Sequence, residues 1–145
     1  KFAVSKIKDD YDYIIIDCPP SLGLLTLNAF VCTDTILIPI QCEYYALEGL
    51  SQLISTVRTI KQHYNEHLEL EGVLFTMYDG RLRLNQMVID EVSQYFPGKP
   101  YKTAIPRSVK IAEAPSFGKP VIYYEKYSKP SFAYKKFVEE FLKNQ

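Results

Sequence analysis

The clearest apolar signal in the chain is Tyr13-Ile14-Ile15-Ile16, a β-branched run with no polar alternation. Such a run predicts a parallel strand buried on both faces. It stops at Asp17, and Cys18-Pro19-Pro20 blocks continuation as strand or helix. Ser21 is placed to cap a helix over residues 22–31, and residues 35–40, Thr-Ile-Leu-Ile-Pro-Ile, predict a second buried strand. Between 47 and 64, Leu50, Leu53, Ile54, Val57, Ile60 and Tyr64 repeat with helical spacing. Residues 70–77 read as a third strand, apolar at Leu70, Val73, Leu74, Phe75 and Met77. Leu84, Met87, Val88, Val92 and Tyr95 mark the apolar stripe of a further helix, closed by Pro97-Gly98. Residues 101–105 predict a fourth strand ending at Pro106, residues 108–113 a short helix, and residues 121–124 another strand. Tyr134, Phe137, Val138, Phe141 and Leu142 form the i, i+3, i+4, i+7, i+8 stripe of a closing helix.

Strands alternating with helices over short connections predict an α/β fold, a mostly parallel sheet flanked by helices. In such sheets the chemistry lies beyond the carboxyl ends of the strands. That rule singles out Asp17, residues 41–43, residues 78–81 and residues 106–110, all polar or charged segments that follow apolar runs.

Composition narrows the picture. A length of 145 residues, 47% of them apolar, with 17 basic and 17 acidic side chains, suits one globular domain and excludes disorder. No apolar run approaches the ~18 residues that span a bilayer. Cys18, Cys32 and Cys42 lack metal-ligand or CxxC spacing, which predicts reduced thiols and a cytoplasmic setting. The chain opens at Lys1 rather than Met, so a piece of a longer protein is expected. The balanced charge conceals a division: residues 1–80 carry 5 basic and 11 acidic side chains, residues 81–145 carry 12 basic and 6 acidic. A basic second half suggests a polyanionic partner, although a solvated surface has the same composition. The interleaved Tyr101, Tyr123, Tyr124 and Tyr127 would permit base stacking, but phosphate contact by Arg and Lys is the stronger version of that idea.

Asp17 is the sharpest single residue. Four apolar residues ending in Asp form the Walker B pattern, in which a carboxylate at a strand tip holds Mg²⁺, usually through water. A strand also often ends in Asp because Asp starts a turn. No GxGxxG or GxxxxGK[ST] occurs in the chain, and His63 and His67 lack the adjoining Glu of an HExxH zinc site. Gly49-Leu50-Ser51-Gln52-Leu53 lacks the final Gly of a nucleophile elbow.

Residues 11–23, YDYIIIDCPPSLG, resemble the ParA/Soj family of partitioning ATPases, the deviant-Walker group of the P-loop NTPases. The resemblance continues through residues 39–50, PIQCEYYALEGL, residues 71–81, EGVLFTMYDGR, and residues 105–120, IPRSVKIAEAPSFGKP. These segments stand in family order and are spread over residues 11–120, most of the chain's length. The resemblance implies that residues 1–145 are the carboxy-terminal part of a single ParA-type ATPase domain, a partial P-loop fold. It implies ATP and Mg²⁺ as cofactors, a homodimer with ATP bound, non-specific duplex DNA and a ParB-type protein as partners, and a cytoplasmic, nucleoid-associated location. Asp17 becomes the Mg²⁺ carboxylate, and Pro19, Pro20 and Gly23 belong to the loop that senses the γ-phosphate. Pro106 and Arg107 resemble the loop that packs on adenine. Arg81 and Lys110 stand where Soj-like members place DNA-contacting cations, Lys110 where Arg is commoner. Residues 41–48 would lie near the nucleotide-dependent dimer interface.

The family's phosphate loop, with its signature lysine, and the switch segment after it do not match any part of this sequence. Phosphoryl transfer depends on positioning and charge stabilisation, so no catalytic residue is assigned and the chain is expected to be inactive alone. A sheet without the phosphate-loop strand is expected to expose an apolar edge and to associate through it. A MinD-like membrane-associated ATPase is the second reading, but the closing helix mixes Lys135 and Lys136 with Glu139 and Glu140 rather than carrying a basic lipid-facing side. A non-enzymatic DNA or protein interaction module is the third.

Overall fold

The computed structural model describes residues 1–19, 21–43 and 45–144. The order of elements is α1 (Phe2–Ser5), α2 (Leu24–Cys32), β1 (Thr35–Gln41), α3 (Ala46–His63), β2 (Glu69–Thr76), α4 (Arg83–Tyr95), α5 (Val109–Glu113), α6 (Val121–Tyr124) and α7 (Lys129–Lys143), with single 3₁₀ turns at Lys8–Asp10 and Ala114–Phe117. β1 and β2 are neighbours in the sheet. The Glu69 N–H donates to the Asp34 carbonyl and the Cys42 N–H to the Thr76 carbonyl, so residue numbers rise together along both strands and the pairing is parallel. The α/β class with parallel pairing is therefore the observed one.

The chain forms two compact units, one of Lys1–Ile36 and Glu48–Glu71, the other of Leu37–Leu47 and Gly72–Gln145. In the first, Thr26, Ala29 and Phe30 of α2 are buried, as are Leu50 and Ile60 of α3. Asn65, just after α3, donates through Nδ2 to the carbonyls of Phe30 and Thr33 at 2.9 and 2.8 Å. These bonds satisfy acceptors at the carboxyl end of α2 that the helix itself leaves open. In the second unit, Leu74, Tyr101 and Ile105 form the core, and Ile111, Ala133, Tyr134, Phe137 and Phe141 pack against it. The Tyr101 and Phe137 rings meet edge to face, centroids 5.0 Å apart.

Several expected elements take another form. Residues 13–16 belong to no named strand, and Ile15 is 91% exposed, against the expectation of a doubly buried strand. A strand exists only where a neighbour accepts its backbone bonds, and no β-bridge among the described residues reaches this segment. β1 forms where expected but buries one face only: Ile36, Ile38 and Ile40 are inside while Leu37 and Pro39 are outside. Helix α2 begins at Leu24 with Gly23 as its cap, rather than at Leu22 after Ser21. Ser21 instead contributes its carbonyl, which accepts from the Thr26 hydroxyl at 2.7 Å.

In α4 the buried residues are Asn85, Val88 and Val92, whereas Leu84, Met87 and Tyr95 face solvent. Residues 121–124 form α6 rather than a strand: the N–H groups of Tyr123 and Tyr124 both donate to the Pro120 carbonyl, and that of Glu125 donates to Val121. With no strand beside them, these four residues satisfy their backbone locally.

Residues 101–105 run parallel to β2 without forming a continuous strand. Bridges join Val73 to Pro100 and Tyr78 to Pro106. Between these two bridges β2 and the two residues after it advance by one residue fewer than the partner segment, so the partner bulges. The N–H groups of Lys102 and Thr103, turned out of the ladder, donate to the two carboxylate oxygens of Glu140 on α7 at 2.7 and 3.0 Å. Burial alone would raise the pKa of Glu140, but these backbone donors outweigh it and hold the carboxyl below the usual range.

Candidate functional site

In the first unit, Asp17 follows residues 13–16 and is exposed, and Cys18-Pro19 comes next. Thr26 reaches this segment, its hydroxyl lying 3.5 Å from the Pro19 carbonyl. Gly23 then opens α2 in an extended conformation, and its carbonyl accepts the first helical bond from the Leu27 N–H at 3.0 Å. Thr26 of α2 thus meets the carbonyls of both Pro19 and Ser21 close to the start of the helix. Pro20, assigned to the same loop, lies outside the described residues.

Asp17 offers two carboxylate oxygens, and no group of three His, Cys, Asp or Glu is found among the described residues. One exposed carboxylate fits Mg²⁺, which keeps several waters and takes its other ligands from phosphates; it does not fit a metal that needs an all-protein cage. Such an ion could take Asp17 as a ligand. When bound, the ion neutralises charge on a phosphate group.

In the second unit, the carboxyl ends of β1 and β2 carry a connected set of polar side chains. Asn85, 3% exposed on α4, donates through Nδ2 to the Cys42 carbonyl at 2.7 Å and accepts the Asp79 N–H at 2.6 Å. One buried amide therefore locks together the loops that follow both strands. Asp79 in turn receives Arg81 in a bidentate pair, Nε to Oδ1 at 2.9 Å and Nη2 to Oδ2 at 2.6 Å. The Arg81 bonds, helped by the field of Arg107, pull the Asp79 carboxyl down to about 2.

Arg107 follows Pro106, and its N–H donates to the Tyr78 carbonyl at 3.0 Å. Its guanidinium reaches back to Glu43, Nη2 to Oε1 at 2.8 Å. The loop proposed to face adenine is thus fixed through both its backbone and its side chain. Cys42, adjacent to Glu43, is fully enclosed, and burial pushes its thiol up to about 11, so it stays protonated.

Lys110 is the second residue of α5, which is capped by Ser108, whose Oγ accepts the Lys110 N–H at 3.2 Å. The Lys110 ammonium lies 3.1 Å from Glu113 Oε2, and the same oxygen accepts the Tyr124 hydroxyl at 3.2 Å. Hydrogen bonding to Glu113 shifts Lys110 further toward its charged form. Arg81, Arg107 and Lys110 therefore belong to one compact unit and each meets a carboxylate. The strand-end rule singles out residues 41–43 and 78–81, which include Glu43 and Asp79, but it gives neither a cation to hold, and it does not reach Asn85 or Glu113. Asp79 and Glu113 stand only two and three residues from their cations, so local spacing was the available signal for those pairs; the Glu43–Arg107 pair and the bonds of Asn85 to Cys42 and Asp79 depend on the fold.

A family model described as an AAA domain matches residues 1–70. The chain is 55% identical over 144 residues to the sporulation initiation inhibitor protein Soj of Bacillus subtilis (strain 168), covering 99% of this chain and 57% of that protein. It is 50% identical over 141 residues to the chromosome partitioning protein ParA of Myxococcus xanthus (strain DK1622), covering 97% of this chain and 50% of that protein. Among solved structures, cobyrinic acid a,c-diamide synthase from Mycobacterium smegmatis, with bound ATP analog and magnesium, shares the fold at a TM-score of 0.79 and 33% identity, over 95% of this chain and 50% of that one. The chain spans about half the length of the curated relatives it matches.

Proposed function

We propose that this chain, a member of the ParA/Soj family, is the carboxy-terminal part of a partitioning ATPase domain, supplying the Mg²⁺ carboxylate, the adenine-facing loop and the DNA-contacting surface. The parent protein, in this reading, binds ATP and Mg²⁺, dimerises with nucleotide bound, holds duplex DNA without sequence preference and responds to a ParB-type partner. The observation that carries the reading is the cluster at the carboxyl ends of β1 and β2, where Asn85 fastens both loops and presents Asp79, Arg81, Glu43 and Arg107.

Each residue has a derivable task. Asp17, exposed on a proline-stiffened turn, would hold Mg²⁺ beside phosphate. Pro19 and Gly23 set the path of the turn into α2, and Pro20 belongs to the same loop. Pro106 and the Glu43 pair fix Arg107, whose planar guanidinium is suited to lie on a flat heterocycle. Arg81 and Lys110 provide exposed positive charge for phosphates. No residue of the chain is assigned to bond breaking, and the isolated 145 residues are expected not to turn over ATP.

A MinD-like membrane role finds no support in the closing helix. Tyr134, Phe137 and Phe141 of α7 pack on the core of their own unit, and Glu140 is engaged with the 102–103 backbone. No helix among the described residues is long and apolar enough to cross a membrane.

The test is duplex DNA binding by the complete ATPase with ATP and Mg²⁺ across salt concentrations. Arg81→Ala and Lys110→Ala should each weaken binding on every sequence and lower the salt slope by about 0.9. Unchanged affinities and slopes in both variants would remove the DNA assignment.

A further inference from the structure

Arg81 and Lys110 share a construction. Each exposed cation is paired with a carboxylate close by on the chain, and that carboxylate, or the turn that carries it, is held independently of the cation's charged group. Asp79 accepts the backbone N–H of Arg81 at 3.1 Å, and its own N–H is pinned by buried Asn85. Its side chain is only 22% exposed, against 88% for Arg81. Glu113 is held by the Tyr124 hydroxyl, and the Tyr124 ring is itself stacked on Phe117 with centroids 4.9 Å apart. In both pairs the anion has a second hold that does not involve the cation's charged group, although the Lys110 ammonium also lies 5.9 Å from the centroid of the Tyr124 ring.

An incoming phosphate therefore meets a fixed negative charge beside each cation. Resting on the reading of Arg81 and Lys110 as duplex-DNA contacts, we infer that Asp79 and Glu113 set the affinity of that surface, each opposing the phosphate that takes its cation. DNA binding is then an exchange of carboxylate for phosphate, and it is weakened by design of the site at both positions. The positioning benefit of an exposed ion pair is small, since such pairs contribute little at high dielectric. The opposing repulsion is larger: a carboxylate about 6 Å from a phosphate in water lowers affinity roughly threefold. A modest, readily reversed hold is what results.

The experiment is a DNA titration of the complete ATPase with ATP and Mg²⁺, comparing the wild type with Asp79→Asn and Glu113→Gln, which keep shape and one acceptor oxygen while removing the charge. Glu91→Gln, at an exposed position of α4, controls for net charge. Asp79→Asn and Glu113→Gln should each bind about threefold tighter, and the double variant about tenfold, while Glu91→Gln matches the wild type. Unchanged or weaker binding in both variants, with Arg81→Ala still impaired, would overturn the inference alone. Equal tightening by Glu91→Gln would reduce it to a net-charge effect and overturn it as well. Loss of any effect from Arg81→Ala and Lys110→Ala would instead remove the DNA reading on which it rests.

Discussion

Asn85 shows how one buried side chain organises a site that charged residues then occupy. Its amide satisfies the Cys42 carbonyl and the Asp79 N–H, two groups on loops far apart in sequence. Asn85→Ala would leave both without that partner in a buried setting, so a loss of about 2 kcal/mol is expected in urea unfolding. A loss under about 0.5 kcal/mol would mean that the loops hold themselves. Gly72 makes a different demand. A Cβ there would run into the Tyr101 ring and stand 2.9 Å from the Lys99 carbonyl oxygen. Gly72→Ala should cost about 1–3 kcal/mol by the same measurement, because backbone on one side and a packed ring on the other leave no room. The Gly was visible in the EGVLF run, but the ring that demands it lies 29 residues further on in the chain, at Tyr101.

At the scale of elements, the sequence pattern located β1, α3, β2, α4 and α7 to within a few residues because each carries a long periodic signal of its own. It misplaced segments whose state depends on a neighbour. Residues 13–16 have strand composition but belong to no named strand, and residues 121–124 have strand composition and fold as α6 after Pro120. The bulge at 102–103 was equally hidden, since Glu140, which satisfies it, arrives from α7. That latch gives a pH prediction. The Glu140 carboxyl is held below its ordinary value in the folded chain, so its stabilisation is present above the unfolded pKa of about 4.3 and is lost as pH falls through the lower folded value. Glu140→Gln should therefore melt below the wild type at neutral pH, by the equivalent of about 1 kcal/mol, with the gap closing under acid. A gap that persists unchanged at pH ~2 would assign the difference to packing.

For the whole molecule, the proposed reading divides its tasks as the chain divides its charge. The acidic first half carries Asp17, and the basic second half carries Arg81, Arg107 and Lys110. The family was legible in four ordered segments, and the roles proposed for these residues come from that resemblance, whereas composition alone reached no further than a polyanion. The account stands or falls on Asp17 as a magnesium carboxylate. Calorimetric titration of ATP into the complete ATPase, at a series of Mg²⁺ concentrations, compares the wild type with Asp17→Ala. The account predicts that the Mg²⁺-dependent part of the binding is lost in Asp17→Ala while the Mg²⁺-independent part remains. An identical Mg²⁺ dependence in the two proteins would contradict it and leave Asp17 a turn residue.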